Sequence, residues 1–335
     1  MRKLGKQTLI PQRPICISET ASVVGEKEAH GPLGKCFDLV CTDPYFGQST
    51  WEKAETEMLH RCFDRLLNKS GNHLKDIDAI FAGDLLNQCI STAFAFKDTN
   101  IPYFGLYGAC STMVLSSMLA SISIESGAYK KVCAETGSHF CTAERQYRFP
   151  LEYGGQRTPT SQWTVTGCGA ALIEAAEGEI MLKAITPGVI FDSGIKDANN
   201  MGAAMAPAAY STIRNHLADI GQDADYYDAI FTGDLGAIGH DMLEAMFRSD
   251  GIELGARYMD CGVLIYDAAT QDVHAGGSGC GCCASVLCGH IIPAMRRGVW
   301  KRVLVAATGA LMNPLSCQQG GSIPGISHAI SLEVC

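Results

Sequence analysis

The sequence predicts an α/β protein built from two related halves, roughly 1–180 and 181–335, stacked about a pseudo-two-fold axis. Three pairs of segments, in the same order in each half, carry that prediction. IDAIFAGDL (77–85) matches YDAIFTGDL (227–235) without a gap, 150 residues further on. GAYKKVCAETG (127–137) matches GVWKRVLVAATG (298–309) with one inserted residue. GCGAALIE (167–174) and ISHAISLE (326–333) form a weaker third pair, read as closing strands.

Each element has a local reason. The first pair is a short, wholly apolar run ending in Gly-Asp: a strand buried on both faces, whose C-terminal end delivers Asp84 or Asp234. A helix precedes each. The first spans Ser49–Asn68, with Ser49 and Glu52 as a capping box and an apolar stripe at Trp51, Ala54, Met58, Cys62 and Leu66. The second runs from about Pro207 to Ile220 and stops at Gly221. The second pair reads as a helix end, a basic pair and a strand finishing in Thr-Gly, which places Gly309 at a strand end. Seventeen residues before Gly127 lies Cys110, and seventeen before Gly298 lies Gly281. GACSTM and GSGCGC therefore stand at equivalent mouths of two buried helices.

Ligands of such sheets bind at the carboxyl ends of the strands. Asp84, Cys110, Ser111, Thr112, Asp234, Ser278, Gly279, Cys280 and Gly309 are the residues expected to converge there. Small residues leave room, and backbone N–H groups at helix mouths favour a small carboxylate. Cys110 reads equally as a buried core cysteine. Asp84 and Asp234 read first as acceptors of backbone N–H groups at their turns, and second as a proton or calcium handle.

Composition excludes several classes. A net charge of −9 argues against nucleic acid and anionic lipid as partners. The start, MRKLGKQTLIPQRP, lacks the apolar core of a secretory signal, and apolar stretches elsewhere are cut before spanning length. The expected location is the cytosol, where the 16 cysteines stay reduced. Cys280, Cys283, Cys288 and His290 have partial metal-ligand spacing, but a buried helix would spread them around its faces, so no metal is expected. GGSGCG (276–281) lacks the lysine of a nucleotide loop. An insertion at about 140–162 carries Arg145, Arg148 and Arg157, either carboxylate partners or ordinary surface ion pairs.

A duplicated α/β unit with a cysteine at the first buried helix resembles the thiolase fold, layered α/β/α/β/α. GPLG (31–34), AGDLLNQ (82–88), GACSTM, TAERQYRFPLEYGGQRTPT (142–160), MGAAMAPAA (201–209), DCG (260–262), AGGSGCGC (275–282) and VAATGAL (305–311) together resemble the stage V sporulation protein AD family, from end to end of the chain. That resemblance implies dipicolinic acid (pyridine-2,6-dicarboxylate) or its calcium chelate as ligand. It also implies a part in dipicolinate uptake into the developing spore, beside membrane proteins of the same operon that would hold the protein at the spore inner membrane. It allows a homodimer and implies that the insertion, with Arg145 and Arg157, caps the pocket or packs at an interface. Condensing enzymes of this fold place a His after the middle strand of the second half and an Asn at the last buried helix. Here Gly233-Asp234 and Gly281 occupy those places. The expectation is a non-enzymatic binding protein. The alternatives are an acyltransferase with Cys110 as nucleophile, and a vestigial scaffold of a membrane complex.

Overall fold

The computed structural model describes residues 1–147 and 157–335. Ten strands form the body of one continuous mixed sheet. In the first half these are β1 (Cys16–Gly25), β2 (Ala79–Gly83), β3 (Tyr103–Gly105), β4 (Lys131–Ser138) and β5 (Gly167–Glu174). The second half gives β6 (Ile180–Thr186), β7 (Ala229–Thr232), β8 (Tyr258–Asp260), β9 (Arg302–Ala310) and β10 (Gly325–Val334). The order across the sheet is β8-β7-β9-β10-β6-β1-β5-β4-β2-β3. Read outward from the β6–β1 seam, the two halves have the same order. The seam is antiparallel, with Met181 opposite Cys16.

The helices are α1 (Trp51–Ser70), α2 (Ile90–Phe96), α3 (Thr112–Glu125), α4 (Phe140–Tyr147), α5 (Met201–Ile220), α6 (Gly236–Ser249) and α7 (Cys280–Val286). Side-chain alternation along the repeated strands shows how they stack. Ala79 and Phe81 of β2, and Ala229 and Phe231 of β7, enter one central core with Met113, Val114, Cys282 and Val286. The intervening Ile80 packs outward with Met58 and Phe63 of α1, and Ile230 outward with Ile213 of α5 and Phe247 of α6. The sheet thus wraps α3 and α7, which pack against each other. Five layers result, α/β/α/β/α. Burial on both faces is why β2 and β7 are apolar throughout. Enclosure likewise explains why α3 is apolar around most of its circumference.

Three boundaries differ from expectation. The N-cap of α1 is Thr50, whose side chain accepts from Lys53 N at 3.3 Å, rather than Ser49. Helix α5 starts at Met201, capped by Asn200, and carries Pro207 in its interior. Its first residues are small and apolar on every side because the helix is sandwiched, so they show no period. The segment after α7 relaxes into a π-helical turn, Leu287–Ile291, before Ile292–Arg296 resumes the α form. No helix among the described residues is long and apolar enough to cross a membrane.

Candidate functional site

The mouths of α3 and α7 face each other at the carboxyl ends of the strands. Between them lies a cavity of about 280 Å³. Cys110, Ser278 and Gly279, three of the residues expected to converge at the strand ends, line it. Tyr107, Ala143, Glu144, Tyr147, Gln162 and Asn199 complete much of the wall.

The turn that presents Cys110 is strained. Ala109 has φ 49°, a left-handed conformation that costs a non-glycine residue free energy, so its neighbours must hold it there. Ser111 Oγ donates to Gly108 O at 2.6 Å and Thr112 Oγ1 to Ala109 O at 2.6 Å. Ser111 and Thr112 therefore brace the turn from behind and do not line the cavity.

Asp234 follows β7. It is fully buried. Its carboxylate accepts from Ser278 Oγ (2.9 Å), Gly279 N (3.0 Å) and Thr308 Oγ1 (2.7 Å), so it ties the mouth of α7 to β9. Ser278 Oγ lies 4.0 Å from Cys110 Sγ. Burial first, and then the Asp234 charge, push the Cys110 thiol well above its ordinary range. Burial also raises Asp234, against the hydrogen bonds that Cys110, Thr308, Gly279 and Ser278 make to it. The arrangement holds a neutral thiol, the opposite of what a nucleophilic cysteine requires. No histidine lines the cavity among the described residues.

Asp84, the partner of Asp234 in the repeat, is also fully buried and stands behind the wall. It accepts from Leu86 N (2.8 Å), Thr92 N (2.8 Å) and Thr92 Oγ1 (2.8 Å), closing the turn after β2. Cys280 turns away as well, its Sγ donating to Gly137 O at 2.9 Å. Gly309 passes behind the Cys110 turn, where a Cβ would come within 2.5 Å of Gly108 O. At Gly281 a Cβ would meet Gly167 O at 2.2 Å, so no side chain can project from that position toward Cys110.

The insertion contributes its helix rather than its arginines. Ala143, Glu144 and Tyr147 of α4 form one side of the cavity. Tyr147 is fixed by its hydroxyl, which donates to Leu85 O at 2.5 Å. Arg145 pairs with Glu52 at 2.8 Å on the surface. Arg157 donates to Gln162 O and lies 4.6 Å over the Trp163 ring. Neither lines the cavity, and Arg148 falls outside the described residues.

Sequence reasoning missed Gln162. Its Nε2 donates to Asp234 O (2.7 Å) and Gly277 O (2.8 Å), two carbonyls that fix the amide's orientation. Its Oε1 is then a buried acceptor without a partner among the described residues. The signal available was its position beside TPTS at the end of the insertion, a polar residue next to two predicted mouth segments.

A family model, stage V sporulation protein AD, matches residues 5–333. The chain is 41% identical over 333 residues to the stage V sporulation protein AD of Bacillus subtilis (strain 168), covering 99% of this chain and 98% of that one. The chain belongs to the stage V sporulation protein AD family. The family name marks it as a sporulation protein. Solved structures extend the likeness in fold alone. The 3-oxoacyl-[acyl-carrier-protein] synthase III of Aquifex aeolicus VF5 superposes with a TM-score of 0.60 at 12% identity, over 95% of this chain and 99% of that one. Human mitochondrial 3-ketoacyl-CoA thiolase gives 0.59 at 11%, over 98% and 99%. This member of the stage V sporulation protein AD family thus has the thiolase-like fold, with a buried aspartate beside its cysteine.

Proposed function

We propose that the protein binds dipicolinic acid in the cavity between Cys110 and Gly279, without turnover, and that this binding serves dipicolinate uptake into the developing spore. The observation that carries the non-enzymatic part is the Cys110–Asp234 pairing. A thiol kept neutral by burial and a neighbouring carboxylate cannot attack an acyl thioester at a useful rate. Family membership supports the sporulation context. The cavity volume of about 280 Å³ suits a single-ring ligand.

The wall favours a particular form of that ligand. No lysine or arginine lines the cavity among the described residues. A free dianion would find no cationic side chain there to balance its charge. A calcium chelate brings its own hard cation. The chelate is therefore the proposed ligand, with the Asn199 amide and the Thr164 hydroxyl as donors to its carboxylates. Membrane proteins of the same operon are the proposed partners, and through them the chain sits at the spore inner membrane.

Calorimetric titration with dipicolinate, with and without calcium, tests this reading. Saturable one-site binding without covalent change supports it, and tighter binding with calcium supports the chelate. A stable stoichiometric acyl adduct on Cys110 after incubation with an acyl-CoA would favour the acyltransferase.

A further inference from the structure

Among the described residues six carboxylates are fully buried: Glu28, Glu55, Asp84, Glu135, Asp234 and Asp260. Five of them accept at least one backbone N–H or hydroxyl hydrogen bond. Glu28 takes Thr166 N and Tyr266 Oη, Glu55 takes Thr142 Oγ1, and Asp260 takes Leu235 N and Gly236 N. Asp84 and Asp234 were described above. Glu135, in the middle of β4, differs. Its side-chain neighbours are thiols: Cys168 Sγ lies 3.3 Å from Oε1 and Cys133 Sγ 3.9 Å from Oε2. Among the described residues it has no salt-bridge partner. A carboxylate in an apolar core without a cation or a strong donor is costly.

Cys62 reaches the same point from α1. One ligand atom each from Cys62, Glu135 and Cys168 lies within 4.8 Å of the other two. All three residues are fully buried, as is Cys133, two residues before Glu135 on the same strand face. The groups come from α1, β4 and β5, three elements that the core already fixes. Gly137 sits opposite Cys168 across the β4–β5 ladder, and a Cβ there would approach Cys168 Cβ to 3.1 Å. Leu59 and Cys168 pack against Gly137 so closely that a side chain there would press on the cluster.

We propose that Cys62, Glu135 and Cys168 bind a thiophilic divalent cation of the zinc type. Two thiolates with one carboxylate suit zinc among the divalent ions, and the second oxygen of Glu135 can complete a four-coordinate shell. Binding forms two metal–sulfur bonds and the metal–carboxylate bonds. It displaces the two thiol protons and the carboxyl proton to solvent, and leaves a net charge of −1 on the site. The site has no opening to solvent, so the metal enters as the chain folds and its binding energy becomes folding energy. The location, between α1 and the outer face of the first half of the sheet, separates this structural centre from the ligand cavity.

The test is metal content of the full chain produced with zinc in the medium and then dialysed against a chelator. The expected result is about one zinc per chain, retained in Cys317→Ser/Cys335→Ser and lost in Cys62→Ala/Cys168→Ala. Chain produced with cobalt instead should show the near-ultraviolet thiolate-to-cobalt charge-transfer band and the visible bands of a tetrahedral site. Glu135→Gln keeps the side chain's shape and should release metal to a competing chelator at least about tenfold more readily. Wild-type chain without stoichiometric zinc and without the cobalt bands overturns the proposal, whether or not the double alanine variant folds. So does zinc that persists in folded Cys62→Ala/Cys168→Ala.

Discussion

Replacing Asp234 by Asn should wake the Cys110 thiol. The carboxylate raises the thiol's pKa through its charge, second only to burial. For charges about 4–6 Å apart at an effective dielectric of about 20, the interaction is roughly 3 kcal/mol. Asn removes that charge at nearly constant volume. Its Oδ1 can still accept from Ser278 Oγ and Gly279 N, the two groups now shared by one carboxylate oxygen. Its NH₂ then faces Thr308 Oγ1, which must turn from donor to acceptor, at a stability cost of about 1–3 kcal/mol. The thiolate fraction at neutral pH should rise by about 10- to 100-fold, because the burial contribution persists while the charge contribution goes. The assay is the iodoacetamide rate at the Cys110 peptide, followed by mass spectrometry across pH 6–10, on protein shown by thermal melts to be folded. A folded Asp234→Asn variant whose rate and pH midpoint match wild type would refute the claim that Asp234 silences Cys110.

Four further outcomes follow from the same geometry. Ala143→Phe, from α4, should fill the cavity and abolish ligand binding; it is a cleaner probe than a change at Gly279, whose φ of 100° and 2.7 Å approach of a Cβ to Ser138 Oγ would strain the fold. Cys110→Ala should weaken calorimetric affinity by only about 1 kcal/mol, the worth of one weak polar contact. Gln162→Leu leaves the carbonyls of Asp234 and Gly277 unpaired and should cost about 2–3 kcal/mol in denaturant unfolding. Burial lowers His216 and His328 to about 4, so their contributions are full above pH about 6.5 and are lost as pH falls toward about 4, roughly 3 kcal/mol each; His328→Asn, able to keep the bond from Gly188 N, should flatten that acid slope.

Much of the architecture was legible because it is written in duplicate. The two Gly-Asp strands repeat so closely because both are covered on both faces and tolerate little but apolar residues. Counting back from Gly127 and Gly298 located the two central helix mouths for a related reason, since each helix must span the same sheet. Legibility failed where packing, not period, decides. Met201–Ala206 has no polar face, so the start of α5 could not be seen, and Pro207 looked like a first-turn residue. Asp84, Ser111, Thr112, Cys280 and Gly309 were placed at the right depth of the fold but on the far side of the wall. Spacing gives a residue's position along a strand or helix, not which partner its side chain will satisfy. Gln162 and the wall residues of α4 come from an insertion with no counterpart in the second half, so the repeat said nothing about them.

The most direct test of the central claim is a crystal structure of the protein grown with calcium and dipicolinate. The account predicts one ring in the cavity between Cys110 and Gly279, in contact with α4, with calcium bound to its carboxylates, and no bond to Cys110 Sγ. Dipicolinate bound elsewhere on the chain, with this cavity empty, would contradict it.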